Sequence, residues 1–276
     1  MIKKHFSIPG ASGKPILIDL TSTEQANSPL VIFAHGFKGF KDWGTHHLVA
    51  NYFAEQDFSF LKFNFSHNGI SKAEGDVFDD LEGFANNTFS KELFDINQVI
   101  SNAISGERFT KPSTVFLIGH SLGGAISIIE TAQNKSINKL VTWASISSFR
   151  NLWSPAQEQE WRNKGVLYFA NSRTNQQMPI YSNLLDDLDQ NSDKLDILSA
   201  AGSVSQPWLI IHGKADTSVS IDHASSLNRQ QTQSRLLAIP DTDHVFSAKH
   251  PWTEENLPKP LKHACDATIA FFKEPD

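Results

Sequence analysis

The stretch 117–127, LIGHSLGGAIS, constrains the fold of this chain more than any other segment. An apolar run, VFLIGH, leads directly into a helical pattern, LGGAISIIE, and the junction reads G-x-S-x-G from Gly119 to Gly123. A strand that turns straight into a helix needs residues without a Cβ at the turn, and the turn lifts the central side chain clear of the sheet. Ser121 would lie at a helix N-terminus, where free N–H groups favour a developing negative charge. The segment therefore predicts a serine nucleophile, with a helix N-cap as the alternative.

Short apolar runs alternate with helical patterns along most of the chain. The runs are rich in Val, Ile, Leu and Phe without period-two alternation, which is typical of strands buried on both faces. Candidate strands are 29–36, 58–66, 114–121, 139–145 and 207–216, a weaker run at 234–244, and an antiparallel edge strand at 14–22. Candidate helices are 45–56, 89–104, 122–133 and 261–273. This order predicts an α/β fold with a mostly parallel sheet and helices on both sides.

Residues 149–201 interrupt the alternation with a polar, irregular pattern. We expect an inserted cap subdomain here, with 1–148 and 202–276 forming the core domain. Within the insertion, 165–182 has the pattern of a small hairpin whose turn is 171–177. A solvated connection is the alternative, but a disordered loop would carry few aromatic residues. The aromatic residues of this segment include Trp153, Trp161, Tyr168, Phe169 and Tyr181.

A serine hydroxyl needs a base before it can attack. Among the eleven histidines we choose His244, in IPDTDHVFS, because it follows the last predicted strand; a surface-loop histidine is the alternative. Asp216, in LIIHGKADTSV, ends the preceding strand and would fix the tautomer of the imidazole; a turn or capping role is its alternative. Asp241 and Asp243 are nearer in sequence, but both are too local to reach the far side of the ring. The sequence thus predicts Ser121, Asp216 and His244 at one sheet edge.

An acyl-transfer site also needs two N–H donors for its oxyanion. The backbone amide of Leu122 follows the nucleophile, and the amide of Phe37 lies in FAHGFKGFKDWG after an early strand. Gly36 and Gly39 would let that backbone approach a ligand closely. Nearby histidine, glycine and aromatic residues are candidate substrate contacts, with core packing as the alternative for the aromatic residues. The candidate contacts are His35, Gly36, Phe40, Trp43, His120 and Trp153.

Composition narrows the class of protein further. The 276 residues carry 24 basic and 30 acidic side chains, so the formal net charge of −6 does not favour nucleic acid or an anionic membrane. No apolar run is long enough to cross a bilayer and 1–13 does not resemble a signal peptide, so we expect a cytoplasmic protein without membrane insertion. The single cysteine, Cys265, excludes an intrachain disulfide and lies in a helical pattern as a packing residue.

We expect no metal and no cofactor. His46 and His47 stand near Asp42, but adjacent helix positions point in different directions and make poor joint ligands. The H-E-x-x-H motif, a phosphate-binding P-loop and a Rossmann glycine pattern are all absent from the sequence.

The segments HGFKGFKD, FNFSHNGIS, GHSLGG, HGKADTSV and DTDHVF together resemble the α/β-hydrolase superfamily. Within it they are similar to bacterial carboxylesterases of the feruloyl and cinnamoyl esterase type; prolyl oligopeptidase and acylaminoacyl peptidase domains are more distant relatives. The resemblance implies a mostly parallel sheet of about eight strands with a small inserted cap. It also implies a cofactor-free triad of Ser121, His244 and Asp216, with oxyanion donors at Phe37 and Leu122.

These residues predict a serine hydrolase that cleaves small-molecule carboxylic esters through an acyl-enzyme. A peptidase or amidase of the acylaminoacyl or prolyl oligopeptidase type is the alternative, and an aminoacyl anilide would discriminate it from an esterase. A non-catalytic ligand-binding homologue is a third class, but such a protein would normally have lost a triad member. Ser66 and His67 stand where many relatives have a glycine-rich turn, so hydroxycinnamate specificity does not transfer directly.

Overall fold

The protein folds around one eight-stranded sheet, as the computed structural model shows; it describes residues 1–23, 27–72, 75–107, 110–171 and 175–275. In chain order the strands are β1 Ile2–Pro9, β2 Pro15–Ser22, β3 Leu30–Ala34, β4 Ser59–Asn64, β5 Val115–His120, β6 Lys139–Trp143, β7 Val166–Asn171, β8 Gln176–Tyr181, β9 Trp208–Gly213 and β10 Arg235–Ile239. The sheet order is β1-β2-β4-β3-β5-β6-β9-β10, and β7 pairs only with β8. Strands from β4 to β10 in that order run parallel, which confirms the predicted α/β class.

The edge of the sheet differs from the prediction in one respect. The stretch 14–22 is an antiparallel strand, but it is not an edge, because β1 pairs with β2 along its whole length. Residues 2–6 of β1 are exposed or half-buried and include Lys3 and Lys4, so the strand has no apolar run by which to recognise it. Lysines on an exposed edge oppose pairing with a second chain.

Helices cover both faces of the sheet. They are α1 His46–Ala54, α2 Leu81–Ala85, α3 Phe89–Ser105, α4 Leu122–Gln133, α5 Pro155–Lys164, α6 Asn183–Gln190, α7 Ile197–Ser203, α8 Ile221–Gln230 and α9 Lys259–Lys273, with 3₁₀ turns at Ala11–Gly13 and Phe149–Leu152. All four predicted helices are present, as α1, α3, α4 and α9. No helix in the described part of the chain is long and apolar enough to cross a membrane.

Each face of the sheet has its own hydrophobic core. Along β3, Leu30 and Ile32 pack into a core shared with α3 and α4, whereas Val31 and Phe33 pack into a second core shared with α1 and α9. This alternation follows from the period of two along a strand. Burial on both faces explains why the central strands read as continuous apolar runs.

The segment 149–201 packs against the first of these cores. Its Trp161, Met178 and Leu185 are fully buried and belong to the cluster that includes α3 and α4, which does not fit a solvated connection. The predicted hairpin is present as the antiparallel pair β7–β8, with Val166 opposite Tyr181. Residues 172–174 of the predicted turn lie outside the described residues.

A buried cluster of charges ties the loop after β3 to its neighbouring strands. Lys41 Nζ and Lys62 Nζ donate to Asp19 Oδ2 over 2.8 and 2.7 Å, and both lysines also contact Asp42. Lys41 is 2% exposed and Lys62 is 5% exposed. The amide of Lys41 donates to Asn64 Oδ1 over 2.7 Å, so β2, β4 and the loop are held at one point.

Substituting Asp19 tests this cluster. Asp19→Asn leaves two buried ammonium groups without one of their counter-charges, so the free energy of unfolding should fall by about 3–5 kcal/mol in urea denaturation. Asp266→Asn breaks an exposed ion pair with Lys262, 2.8 Å long, and should cost less than about 1 kcal/mol. Equal losses in the two variants would contradict the buried cluster's role.

Candidate active site

The turn between β5 and α4 holds Ser121 in a strained backbone conformation. Its φ is +56° and its ψ is −118°, a region that residues with a Cβ rarely adopt. The amide of Ser121 donates to the carbonyl of Trp143 over 2.9 Å, which fixes the turn to β6. Strain maintained by surrounding hydrogen bonds is typical of functional sites.

Two glycines let this turn lie close to the loop after β3. A Cβ on Gly119 would lie 2.4 Å from the carbonyl oxygen of Gly123, and a Cβ on Gly123 would lie 2.4 Å from the carbonyl oxygens of Ala34 and His35. Real side chains do not tolerate such contacts with backbone atoms. The G-x-S-x-G spacing is therefore a steric requirement of this junction.

The three side chains selected from the sequence form one hydrogen-bonded series. Ser121 Oγ lies 3.0 Å from His244 Nε2, and His244 Nδ1 lies 2.7 Å from Asp216 Oδ2. Asp216 follows β9 and His244 follows β10, so the carboxyl edge of the parallel sheet brings them together. Because the ionised carboxylate only accepts, Nδ1 carries the proton and Nε2 is free to accept from the hydroxyl of Ser121.

Asp216 is surrounded by donors. Its Oδ1 accepts from the amides of Ser218 and Val219, 2.8 Å each, and its Oδ2 lies 3.3 Å from His212 Nε2 as well as beside His244. Burial raises the pKa of the Asp216 carboxyl, but the hydrogen bonds from His212, His244 and Val219 outweigh it and hold the pKa well below the usual value. Asp216 therefore stays ionised at neutral pH.

His212 is a site residue that sequence reasoning missed. It lies in β9, is fully buried, and its Nε2 also donates to the carbonyl of Val219 over 2.8 Å. The sequence offered one signal for His212: it lies in the predicted strand 207–216, four residues before Asp216 at the carboxyl end of that strand. His212 and His244 thus contact the same carboxylate oxygen, Asp216 Oδ2.

The two candidate oxyanion donors are available for a ligand. Within the described residues, neither the amide of Phe37 nor that of Leu122 donates a hydrogen bond. Gly36 brings the loop of Phe37 against the nucleophile, since a Cβ there would lie 3.0 Å from Ser121 Cβ. The loop is closed by a hydrogen bond from the amide of Gly39 to the carbonyl of Gly36, 2.9 Å long.

Two further histidines beside the nucleophile are neutral. His35 Nδ1 donates to the carbonyl of Gly36 over 2.9 Å, and burial lowers its pKa to about 4. His120 Nε2 donates to the carbonyl of His244 over 2.9 Å, and burial together with the nearby His244 lowers its pKa to about 3. The ring N–H groups of both histidines therefore donate to backbone carbonyls.

A pocket open to solvent lies beside Ser121 and His244. Six of its apolar lining residues belong to the core shared by α1 and α9, whereas Phe37 packs against the other core. The six are Phe33, Val49, Trp143, Phe246, Ala248 and Leu261. None of the described residues of the segment 149–201 lines it, and the lining residues include no Asp or Glu.

Of the six candidate substrate contacts, four line this pocket: His35, Gly36, Trp43 and His120. The prediction is wrong for Phe40, which is fully buried and packs edge-on against Phe78 and His250. It is also wrong for Trp153, whose Nε1 donates to Glu158 Oε2 over 2.8 Å. The ring of Trp153 packs edge-on against Trp161 within the segment 149–201, away from the pocket.

The two histidines considered for metal binding form hydrogen bonds with backbone carbonyls. His46 Nδ1 donates to the carbonyl of Phe40 and His47 Nδ1 to that of Gly44, both over 3.1 Å. Among the described residues there is no group of three side chains that could hold a metal ion. Cys265 is fully buried in α9, as a packing residue would be, and burial raises the pKa of its thiol.

This fold and the site at its carboxyl edge define a serine hydrolase with the α/β-hydrolase fold. The chain belongs to the prolyl oligopeptidase family, whose sequence profile matches residues 45–257 and so includes Ser121, Asp216 and His244. The uncharacterized protein YfhR of Escherichia coli O157:H7 is 24% identical over 237 residues, which cover 83% of this chain and 69% of YfhR.

Two solved structures place the fold among hydrolases. Est1E from Butyrivibrio proteoclasticus with bound ferulic acid has a TM-score of 0.70 and 17% identity, covering 97% of both chains. A puromycin-hydrolyzing peptidase of Mycobacterium tuberculosis has a TM-score of 0.66 and 15% identity, covering 98% of this chain but 38% of the peptidase. Both likenesses concern the fold.

A methyl group at Gly123 tests the contact between the turn and the loop after β3. Gly123→Ala should lower the free energy of unfolding by about 3 kcal/mol, because its Cβ would overlap two carbonyl oxygens. Gly202→Ala, inside α7 with its nearest neighbour 3.9 Å away, should instead stabilise the protein by up to about 1 kcal/mol. Thermal and urea denaturation measure the free energy of unfolding of both variants. An unchanged free energy of unfolding in Gly123→Ala would show that the turn and the loop after β3 are not in close contact.

Proposed function

We propose that this protein hydrolyses carboxylic esters through an acyl-enzyme on Ser121. The observation that carries the proposal is the continuous hydrogen-bonded series Ser121–His244–Asp216 at the mouth of an apolar pocket. A strained serine, a neutral imidazole acceptor and an ionised carboxylate in line are the parts that nucleophilic acyl transfer requires.

In the first half of the reaction, His244 Nε2 takes the proton of Ser121 as its Oγ attacks the ester carbonyl carbon. The carbonyl oxygen becomes an oxyanion that accepts hydrogen bonds from the amides of Phe37 and Leu122. The tetrahedral intermediate collapses, the bond to the alcohol oxygen breaks, and His244 gives its proton to the departing alcohol. Water then attacks the acyl-enzyme by the same steps, releasing the carboxylic acid and restoring Ser121.

Asp216 serves this cycle by staying ionised. When His244 carries two protons, the adjacent carboxylate stabilises the imidazolium, and when it carries one, the carboxylate keeps that proton on Nδ1. The amides of Ser218 and Val219 hold the carboxylate in place at 2.8 Å each. His212 provides a further contact to the same group at 3.3 Å.

The pocket supports an ester rather than a peptide as the substrate. A peptide with a free amino terminus needs a counter-charge, and the described residues that line the pocket include no carboxylate. Est1E, which has a similar fold and whose structure holds the carboxylic acid ferulic acid, supports an ester as the substrate class. The family name and the puromycin-hydrolyzing peptidase favour a peptidase or amidase as the second candidate.

The segment 149–201 is proposed as a cap subdomain over the core formed by 1–148 and 202–276. Two contacts support a connection between its hairpin and the loop of Phe37. Lys38 Nζ donates to the carbonyl of Ala170 over 2.9 Å, and the rings of Phe37 and Phe169 pack edge-on with centroids 5.2 Å apart.

Removal of the nucleophile is the first test. Ser121→Ala should lower kcat for p-nitrophenyl acetate by about 10⁴-fold or more and abolish labelling by a fluorophosphonate probe. Ser136→Ala, at an exposed turn, is the matched control and should retain both activities. Labelling that persists in Ser121→Ala at wild-type stoichiometry would show that another residue is the nucleophile.

Substitution of the acid is the second test. Asp216→Asn should lower kcat by about 10⁴-fold, because the amide no longer holds His244 in the required tautomer. The exposed Asp222→Asn should have wild-type kinetics. If kcat falls less than tenfold in Asp216→Asn while the circular dichroism spectrum is unchanged, Asp216 is not the acid that orients His244.

The substrate class is tested with matched leaving groups. We expect kcat/KM for p-nitrophenyl acetate and butyrate to exceed that for alanine p-nitroanilide by at least about 10³-fold. The reverse order would make the protein a peptidase of the same mechanism. Binding of these esters without turnover by wild-type protein would instead indicate a ligand-binding homologue.

A further inference from the structure

Most of the apolar lining of the pocket lies on the face of the sheet opposite the segment 149–201; Phe37 is the exception, since its ring packs against Phe169 of that segment. Phe33, Val49 and Leu261 line the pocket and belong to the core of α1 and α9, whereas Trp161 and Met178 belong to the other core. We propose that the acyl group of the substrate enters between α1 and α9, and that this face, not the segment 149–201, sets acyl-chain selectivity. The inference rests on the proposed ester hydrolysis at Ser121.

The chemistry of an acyl-enzyme favours this assignment. The alcohol must leave and water must enter before deacylation, so the leaving-group side has to be open to solvent. The acyl group stays covalently bound during both steps and gains from an apolar enclosure. The wall includes the loop of Phe37, whose amide is proposed to bind the oxygen of the same acyl group.

Three lining side chains are of small or moderate volume. Phe33, Trp143 and Phe246 are large rings that support one another, with centroid separations of 5.9 Å between the first two and 6.0 Å between the last two. The remaining apolar wall is contributed by Val49 from α1, Ala248 from the loop after β10 and Leu261 from α9. These three are buried, at 1%, 7% and 4% exposure, so a change in their volume changes the space available to a chain.

The test is a chain-length profile of kcat/KM for p-nitrophenyl esters from acetate to octanoate. Val49→Ala and Leu261→Ala should move the optimum to longer acyl chains, and Val49→Phe should move it toward acetate. The ratio of kcat/KM between butyrate and octanoate should change by about tenfold or more, the scale of one or two methylene groups in an apolar pocket. Trp153→Ala, which removes a packed ring from the segment 149–201, should leave the profile unchanged.

A profile that shifts in Trp153→Ala and stays fixed in the Val49 and Leu261 variants would overturn this assignment. If a truncated variant fails to fold, Val49→Leu adds one methylene group to the wall and should move the optimum toward acetate, whereas Leu261→Met conserves the volume and should leave the optimum nearly unchanged. Fluorophosphonate titration of Ser121 separates this result from the proposed function. Absence of labelling in the wild-type protein would refute ester hydrolysis itself, whatever the profile.

An independent observation concerns the residue before the nucleophile. His120 Nε2 donates to the carbonyl of His244 over 2.9 Å, and the two rings lie 4.9 Å apart. Asp216 fixes the ring of His244, while His120 fixes its backbone, so the imidazole is held from two directions. We infer that His120 is a positioning residue that keeps His244 Nε2 within reach of Ser121 Oγ.

Two variants of His120 test the positioning role. His120→Leu loses the donor and should lower kcat by about 10–100-fold with little change in KM, because a small misplacement of a reacting group is costly. His120→Gln keeps an N–H donor in nearly the same place and should recover most of kcat. Equal loss in both variants, with equal free energies of unfolding, would show that the hydrogen bond does not position His244; a wild-type kcat in His120→Leu would overturn the inference outright.

Discussion

The absence of a side chain at Gly123 is the steric condition on which the site depends. It allows the turn that carries Ser121 to touch the carbonyl oxygens of Ala34, which ends β3, and of His35, which follows it. The amide of Leu122 belongs to the turn and the amide of Phe37 to the loop that follows β3. Any separation of the two segments would therefore move apart the two amides that are proposed to bind one oxyanion together.

Much of the fold could be predicted because the sheet is buried on both faces. Strands in that environment need apolar residues at every position, so they stand out in the sequence as unbroken runs. The site followed from the fold, since parallel strands place the residues after β9 and β10 at the edge where Ser121 lies. Chain order and strand ends were therefore enough to select Asp216 and His244 among many candidates.

The remaining features of the site could not be predicted, because a buried core and an apolar pocket wall select the same residue types. Phe40 and Trp153 are aromatic for core packing, yet an apolar pocket wall would need the same chemistry. His212 differs from the other ten histidines only in what surrounds it after folding. The apolar and polar residues of β1 alternate too weakly for the strand to be recognised. The side of the sheet on which the pocket opens depends on the packing of helices that are far apart in sequence, such as α1 and α9.

The hydrogen bond from Lys38 to Ala170 and the edge-on packing of Phe37 against Phe169 join the hairpin β7–β8 to the loop beside the nucleophile. Neither part can shift without disturbing the other. A small molecule bound to the outer surface of the hairpin would therefore alter turnover at a distance. Such a ligand would inhibit the proposed hydrolysis noncompetitively, because it would displace the amide of Phe37 without entering the pocket beside Ser121.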